Sequence, residues 1–496
     1  MSTGSGSTIL AIGIDAAEAT LVRQLIDQNE LPALRSLLKD GQWLRVQSPA
    51  RIGSGAVWPT FMTGEDPTAH GVYSEWSWQP EAMNLIRYHG GHLSPFWKQL
   101  AQRDIPIGIF DVPFAVPVGV TNGFEVCEWW AHDSTAAGLQ GGPNEILSLV
   151  KRSPAHPLST SHFVNTTPDS PWDLNELTAA CIEGVRLRGT LAQRLIGKTS
   201  PRLALMVFPE IHRVSHQMWH TVEPHHYFYR GRILNGERAP APLLKYVYRA
   251  VDEQIGRLIE TAGHSAAVMV FALHGMRPGI GFPTFLGPLL CERNFSRIES
   301  WTSQSWSNRV ASLLAATKRH IPDGVKKLYY KLTPKAATHK LARPILWPVY
   351  DWKNTRAFSL PTDQNGWIRI NLIGREAQGC VRQEEYYETC GQLEKLLLGL
   401  TTEDGQSLVQ DVIRTTTDVE SALSNPLPDI VVQWRDAAFA SPLRIKGSRV
   451  QAEPVGKKST GQHASEGFCI YKGDRRWDSD VVPAKDLGRL TTAALL

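Results

Sequence analysis

The hydrophobic positions of this chain fall into short continuous runs separated by stretches of helical periodicity. Residues 8–14, 105–110, 203–208, 266–272 and 429–434 are apolar almost throughout, the pattern of strands buried on both faces. Between them, apolar residues recur every three or four positions over 21–38, 96–102, 174–195 and 244–261, which predicts amphipathic helices. The repeated alternation predicts an α/β fold: a doubly wound, mixed but mostly parallel central sheet with helices on both faces. A shorter strand is predicted at 124–126, and Asn365-Gly366 followed by the alternating WIRINL predicts a hairpin on the sheet or beside it.

One region breaks the alternation. From 299 to 346 the chain carries Lys318, Arg319, Lys326, Lys327, Lys331, Lys335, Lys340 and Arg343, interleaved with aromatic residues. This reads as a basic helical insertion, a cap, between the two parts (8–298 and 347–496) of one α/β domain; it is either a solvated helix pair or a surface for an anion or partner. The length of 496 residues admits more than one domain but also a single large sheet with insertions. A hydrophobic share of 42% and a charged share of 20% suit a globular chain with a large core. The formal net charge of +4 is small for this size, so no nucleic-acid partner is expected. The opening MSTGSGST lacks a basic segment followed by an apolar one, and the apolar run 9–14 is too short to span a membrane. A cytoplasmic chain is expected, with a homo-oligomer compatible with the sequence. The six cysteines are widely spaced and read as free thiols.

In an open α/β sheet, ligands collect at the carboxyl ends of the strands. Asp15 ends the first apolar run there, where a helix cap is an equally good local reading. Ser54 follows Gly53 and precedes the run 56–62, so it can act as a nucleophile facing an anion at a helix start, or simply as an N-cap. His212, His216 and His220 lie four apart in FPEIHRVSHQMWH, directly after a predicted strand. Any two consecutive ones can chelate one ion from a helical face, and spacing does not say which. His274 (FALHGM) again lies just past a strand, and His463 (STGQHASEGF) sits in a turn-prone segment. Three separate histidine sites, with Asp15 and Ser54, would converge on one sheet edge. In EWWAHD, Trp129, Trp130, His132 and Asp133 follow the short strand and are candidates for a substrate pocket, with a core role for the tryptophans as the alternative.

The order of these motifs resembles the alkaline phosphatase superfamily, and within it the type I phosphodiesterase/nucleotide pyrophosphatase family. It runs from an aspartate ending the first strand, through a hydroxyl ahead of WPTFMTGEDPTAHG, then the paired histidines, then HG after a strand, to GQHASEGF. The resemblance also takes in TRAF, IRINLIGRE and NPLPDIVVQW and covers most of the chain, the basic insertion least. It implies an alkaline phosphatase-like catalytic domain whose nucleophile is flanked by divalent metal, zinc foremost, with manganese or iron as other candidates. By position, one ion would meet His212, His216 and His463, and a second Asp15, Ser54 and His274. The implied reaction is hydrolysis of a phosphodiester or pyrophosphate bond of a small anionic ester through a seryl intermediate.

Two residues depart from the family pattern. His212 stands at the aspartate of DxxxH and Leu273 at the aspartate of DHG. Imidazole still binds zinc, whereas leucine ligates nothing, so the first site is sound and one or two ions are expected. The exchange makes the centre about two charges less negative. Glu210 is a candidate to complete the second site, with a surface or cap role as its alternative. Other readings on the same fold are a sulfatase, which the absence of a CxPxR-type signal disfavours, a phospho-group transferase, or a degenerate anion-binding protein without catalysis.

Overall fold

Nine strands form the central sheet, in the order Val481–Pro483, Gln42–Gln47, Glu466–Lys472, Ala267–Ala272, Ile9–Ile14, Leu203–Phe208, Ile107–Phe110, Gly123–Cys127 and Gln140–Gly142. Ile9–Ile14 lies between two parallel neighbours, and only Glu466–Lys472 and Gln140–Gly142 run against the rest. The computed structural model describes residues 8–88, 90–131, 138–159, 174–263, 265–279, 284–299, 348–361, 364–439, 443–452, 460–473, 476–493 and 495. The predicted basic insertion lies outside the described residues except for Glu299, as do His132 and Asp133.

The continuous apolar runs have a direct cause. Leu10, Ile12 and Ile14 point into one helical layer, with Val185, Leu195, Val247 and Ile255, while Ile9 and Ala11 point into the other, with Trp58, Phe61 and Trp97. Successive residues of a strand face opposite sides, so a sheet covered on both faces needs apolar residues at every position. The helices Leu174–Thr199 and Leu243–Ala262 pack against each other on the first layer. Among the described residues no helix is long and apolar enough to cross a membrane, and all six cysteines are free.

Two expectations change. The periodicity over 21–38 divides into helices Ala19–Asp27 and Pro32–Asp40. Asn29 takes a left-handed conformation (φ 60°), and Pro32 has no amide hydrogen to continue the first helix, so it starts the second. The run at 429–434 is a strand, Ile430–Trp434, but in a separate antiparallel sheet of order Ala357–Leu360, Gly366–Ile370, Ile430–Trp434, Val409–Arg414. It is apolar for the same reason as the central strands. Helices Leu286–Glu292 and Tyr386–Leu398 cover one face of this sheet, and Tyr73, Trp78 and Leu85 cover the other.

Candidate active site

Helix Glu210–Met218 begins two residues after strand Leu203–Phe208 and carries His212 and His216 on one face. Strand Gly461–Ala464 runs alongside it. Thr460 N donates to His216 O at 2.7 Å, and His216 Nδ1 donates to Gly461 O at 3.0 Å. Position 461 must be glycine for this approach, because a Cβ there would lie 2.2 Å from Ser215 O. The result places His463 opposite the helix, just ahead of Glu466–Lys472. That strand runs antiparallel to Ala267–Ala272, so its start lies on the edge where the parallel strands end.

Three imidazole nitrogens meet at that edge. His212 Nε2 lies 3.1 Å from His216 Nε2 and 2.7 Å from His463 Nε2, and His216 Nε2 lies 3.0 Å from His463 Nε2. The protons on two of these rings are fixed by their other nitrogens. His216 uses Nδ1–H for Gly461 O, and His212 uses Nδ1–H for Asp15 Oδ2 at 2.6 Å. The two Nε2 atoms face each other. Burial, and then the neighbouring imidazoles of His463 and His216, push the His212 pKa well below its usual value, which keeps the ring neutral. Burial pushes the Asp15 carboxyl upward, opposed by His274, the Trp58 hydrogen bond and His463. Three imidazole nitrogens gathered this closely are the donor type of a zinc site. This donor set fits one divalent ion. His274 stands edge-on beside it, its ring 5.5 Å from that of His212 and 5.0 Å from that of His463. His212, His274 and His463 each offer a ligand atom within 4.8 Å of the others.

Ser54 opens the short 3-10 turn Ser54–Ala56, which runs into helix Val57–Thr63. It is not the cap residue; Gly53 is. One turn further on, Trp58 Nε1 donates to Asp15 Oδ1 at 3.0 Å, which ties the Ser54 segment to the histidine cluster. The second sheet holds this segment from the other side. Trp367 Nε1 donates to Ile52 O at 2.7 Å, and Asn365 Nδ2 lies 3.3, 3.2 and 3.4 Å from the carbonyls of Ala50, Arg51 and Ile52. A Cβ at Gly53 would meet Tyr73 O at 2.6 Å and the Trp367 ring at 2.7 Å. Asn365 was legible only as a turn residue; the clamp on the Ser54 loop has no local sequence signal.

The remaining candidates sit elsewhere. Glu210 does not join the cluster: Arg188 Nε donates to its carboxylate at 2.9 Å, and His156 Nε2 lies 3.6 Å away. Arg188 also pairs with Asp111 at 2.7 Å, and Arg188, Asp111 and Glu210 are fully buried. Glu210 is thus neither a surface nor a metal-facing carboxylate, since a full guanidinium charge beside it draws its pKa down against the effect of burial. Trp129 and Trp130 belong to the same buried network. Their amides donate to Asp111 at 2.9 Å, Arg188 lies over Trp129, and Trp130 stacks on His156. His220 faces Thr460 Oγ1 at 3.1 Å and the His226 ring, and burial lowers its pKa to about 4. The two rings of this helix that meet His463 are therefore His212 and His216, and not His220.

An open cleft of about 670 Å³ is lined by Arg23, Trp43, Arg45, Ser48, Arg51, Ser465 and Glu466 among others, and by neither Ser54 nor any of the four histidines. The Arg23 guanidinium lies 4.3 Å over Trp43.

Residues 9–351 match the family described as type I phosphodiesterase / nucleotide pyrophosphatase. No curated protein matches. Among solved structures, phosphonoacetate hydrolase from Sinorhizobium meliloti 1021 is similar in complexes with phosphonoformate and with phosphonoacetate. Each has a TM-score of 0.54 and 12% identity, covering 99% of this chain and 96% of that one. Murine ectonucleotide pyrophosphatase / phosphodiesterase 5 aligns with a TM-score of 0.48 and 12% identity over 99% and 95% of the two chains. At these identities the likeness to phosphonoacetate hydrolase speaks for the fold alone.

Proposed function

Because the chain belongs to the type I phosphodiesterase / nucleotide pyrophosphatase family of the alkaline phosphatase superfamily, we propose that it hydrolyses a phosphodiester or pyrophosphate bond, using Ser54 as nucleophile and a divalent ion held by His212, His216 and His463. The observation that carries this reading is the triangle of Nε2 atoms 2.7–3.1 Å apart. When bound there, a zinc ion supplies Lewis-acid stabilisation of the charge on the phosphoryl oxygens and lowers the pKa of the nucleophile.

The chain's own residues do the rest. Ser54 Oγ attacks phosphorus, the bond to the leaving oxygen breaks, and a phosphoseryl ester forms; water then hydrolyses that ester and regenerates the hydroxyl. The clamp of Asn365 and Trp367 on carbonyls 50–52 fixes the loop that carries Ser54 before substrate arrives, which removes a positioning cost from the chemical step. Asp15, tied to both Trp58 and His212, keeps that loop in register with the histidines.

The test is hydrolysis of a chromogenic phosphodiester, a phosphomonoester, phosphonoacetate and a sulfate ester by the zinc-loaded chain and by Ser54→Ala. The phosphodiester is expected to be cleaved, with turnover falling roughly 10³-fold or more in the variant while zinc content is kept. Equal turnover in Ser54→Ala removes the nucleophile assignment. Cleavage of the sulfate ester alone favours a sulfatase, and a zinc-loaded chain inert to all four favours anion binding without catalysis.

A further inference from the structure

We infer that this chain holds one metal ion, not two, and that Asp15 is a positioning residue acting through His212 and not a ligand. The inference rests on the reading above that an ion sits among His212, His216 and His463. A second ion, implied by the family resemblance, does not fit the residues present.

Three observations carry this. Each Asp15 oxygen is already engaged, Oδ1 by the Trp58 indole at 3.0 Å and Oδ2 by His212 Nδ1 at 2.6 Å, and the carboxylate is only 1% exposed. Reorienting the carboxylate towards a second ion competes with both of those bonds. Secondly, a histidine that presents Nε2 to a metal while giving Nδ1–H to a carboxylate is the usual arrangement of a carboxylate behind a metal-bound imidazole; it fixes the tautomer and makes the ligand more basic. His212 has that geometry. Thirdly, the residue before His274 is Leu273, buried in the apolar layer on the other side of the sheet. With Asp15 committed, the family positions of a second ion keep, among the described residues, His274 and the Ser54 hydroxyl, fewer than the three protein ligands that catalytic zinc sites use.

Charge points the same way. One divalent ion there is faced by the Asp15 carboxylate, whereas two ions would place four positive charges against it in a buried site. The two departures from the family pattern thus belong together. Imidazole at position 212 gives Asp15 a proton donor in place of a metal, and leucine at 273 removes a carboxylate that a missing ion no longer needs.

The test counts sites on the full chain. Protein stripped with a chelator is titrated with zinc in competition with a chromogenic chelator, for wild type, Asp15→Asn and His216→Ala, with circular dichroism as the check on folding. One zinc per wild-type chain is expected. Asp15→Asn should still bind one, with affinity lower by about 10–100-fold, because a carboxylate behind the ligand tunes affinity without adding a site. His216→Ala should lose the tight site. Two zinc ions per wild-type chain, falling to one in Asp15→Asn, overturn the inference and leave the proposed function standing. No zinc in the wild type removes both. The wild-type count decides the number of ions without any substitution.

Discussion

Two buried polar clusters share helix Glu210–Met218, and they are built on opposite principles. At its first residue, Glu210 meets a guanidinium that also binds Asp111, so two carboxylates and an arginine are paired by hydrogen bonds of 2.7 and 2.9 Å. Two residues on, His212 crowds with His216 against His463, and the Asp15 carboxylate meets His212. In the first cluster opposite charges are balanced within the protein, one guanidinium between two carboxylates. The second gathers three imidazole nitrogens within 3.1 Å of one another, the donor type that a divalent ion takes. The lesson is that a site is recognised by the kind of donors it gathers, more than by how many polar groups it holds.

The largest expected effect comes from breaking the completed cluster. Arg188→Leu strands two buried carboxylates and should lower stability by about 3–5 kcal/mol in denaturant unfolding. Zinc affinity of the folded fraction should be kept; a loss of zinc binding in folded Arg188→Leu would mean that the two clusters are one functional unit. Next, zinc at about 100 times its dissociation constant should stabilise the wild type by about 2.7 kcal/mol, and His216→Ala hardly at all. Thermal melts with and without the metal check this, and equal stabilisation of both proteins would place the ion elsewhere.

The smallest effect uses a third buried histidine as a control. His70 is completed by protein alone, with the Val72 amide donating to Nδ1 at 3.1 Å and Thr60 Oγ1 at 2.9 Å from Nε2. Burial lowers its pKa to about 4 from an ordinary 6.5. The folded state thus binds fewer protons than the unfolded one between those values. Its contribution is intact above pH 6.5 and is lost as pH falls towards 4, on the order of 2 kcal/mol after allowance for partial solvent access. The pH-stability curve of His70→Asn should be flatter over that window whether or not zinc is present. A curve that flattens only in the metal-loaded protein would contradict the contrast drawn here.

Much of the site could be read from residue order, because its parts attach to strong local signals. Asp15 and His274 follow apolar runs, and His212 and His216 have helical spacing. Those signals do not carry partner identity. Glu210 was legible as a carboxylate near a metal-binding pair, yet its fate is decided by Arg188, which lies on the preceding helix with nothing in its own neighbourhood to mark it. The run at 429–434 announced a strand buried on both faces, and that property does not say which sheet it joins. Asn365 reads as a turn residue, but its amide reaches carbonyls more than three hundred positions earlier. Local chemistry survives in the sequence; long-range pairing does not, unless two segments each carry half of a recognisable motif, as His212 and His463 do.

The place of Glu466–Lys472 in the central sheet has a consequence for how the chain is made. This strand, from late in the sequence, lies between Gln42–Gln47 and Ala267–Ala272, both of which precede it by about two hundred residues or more. During synthesis at ~5–20 residues per second, the edges of those two segments have no native neighbour for roughly 10 s or more. An open apolar edge in that interval is a template for pairing with another chain. The arrival of a single strand joins the two segments and, three residues before it, delivers His463 to the waiting helix. The gap between them and the histidine cluster are therefore completed in the same event, before Val481–Pro483 covers the outer edge of Gln42–Gln47.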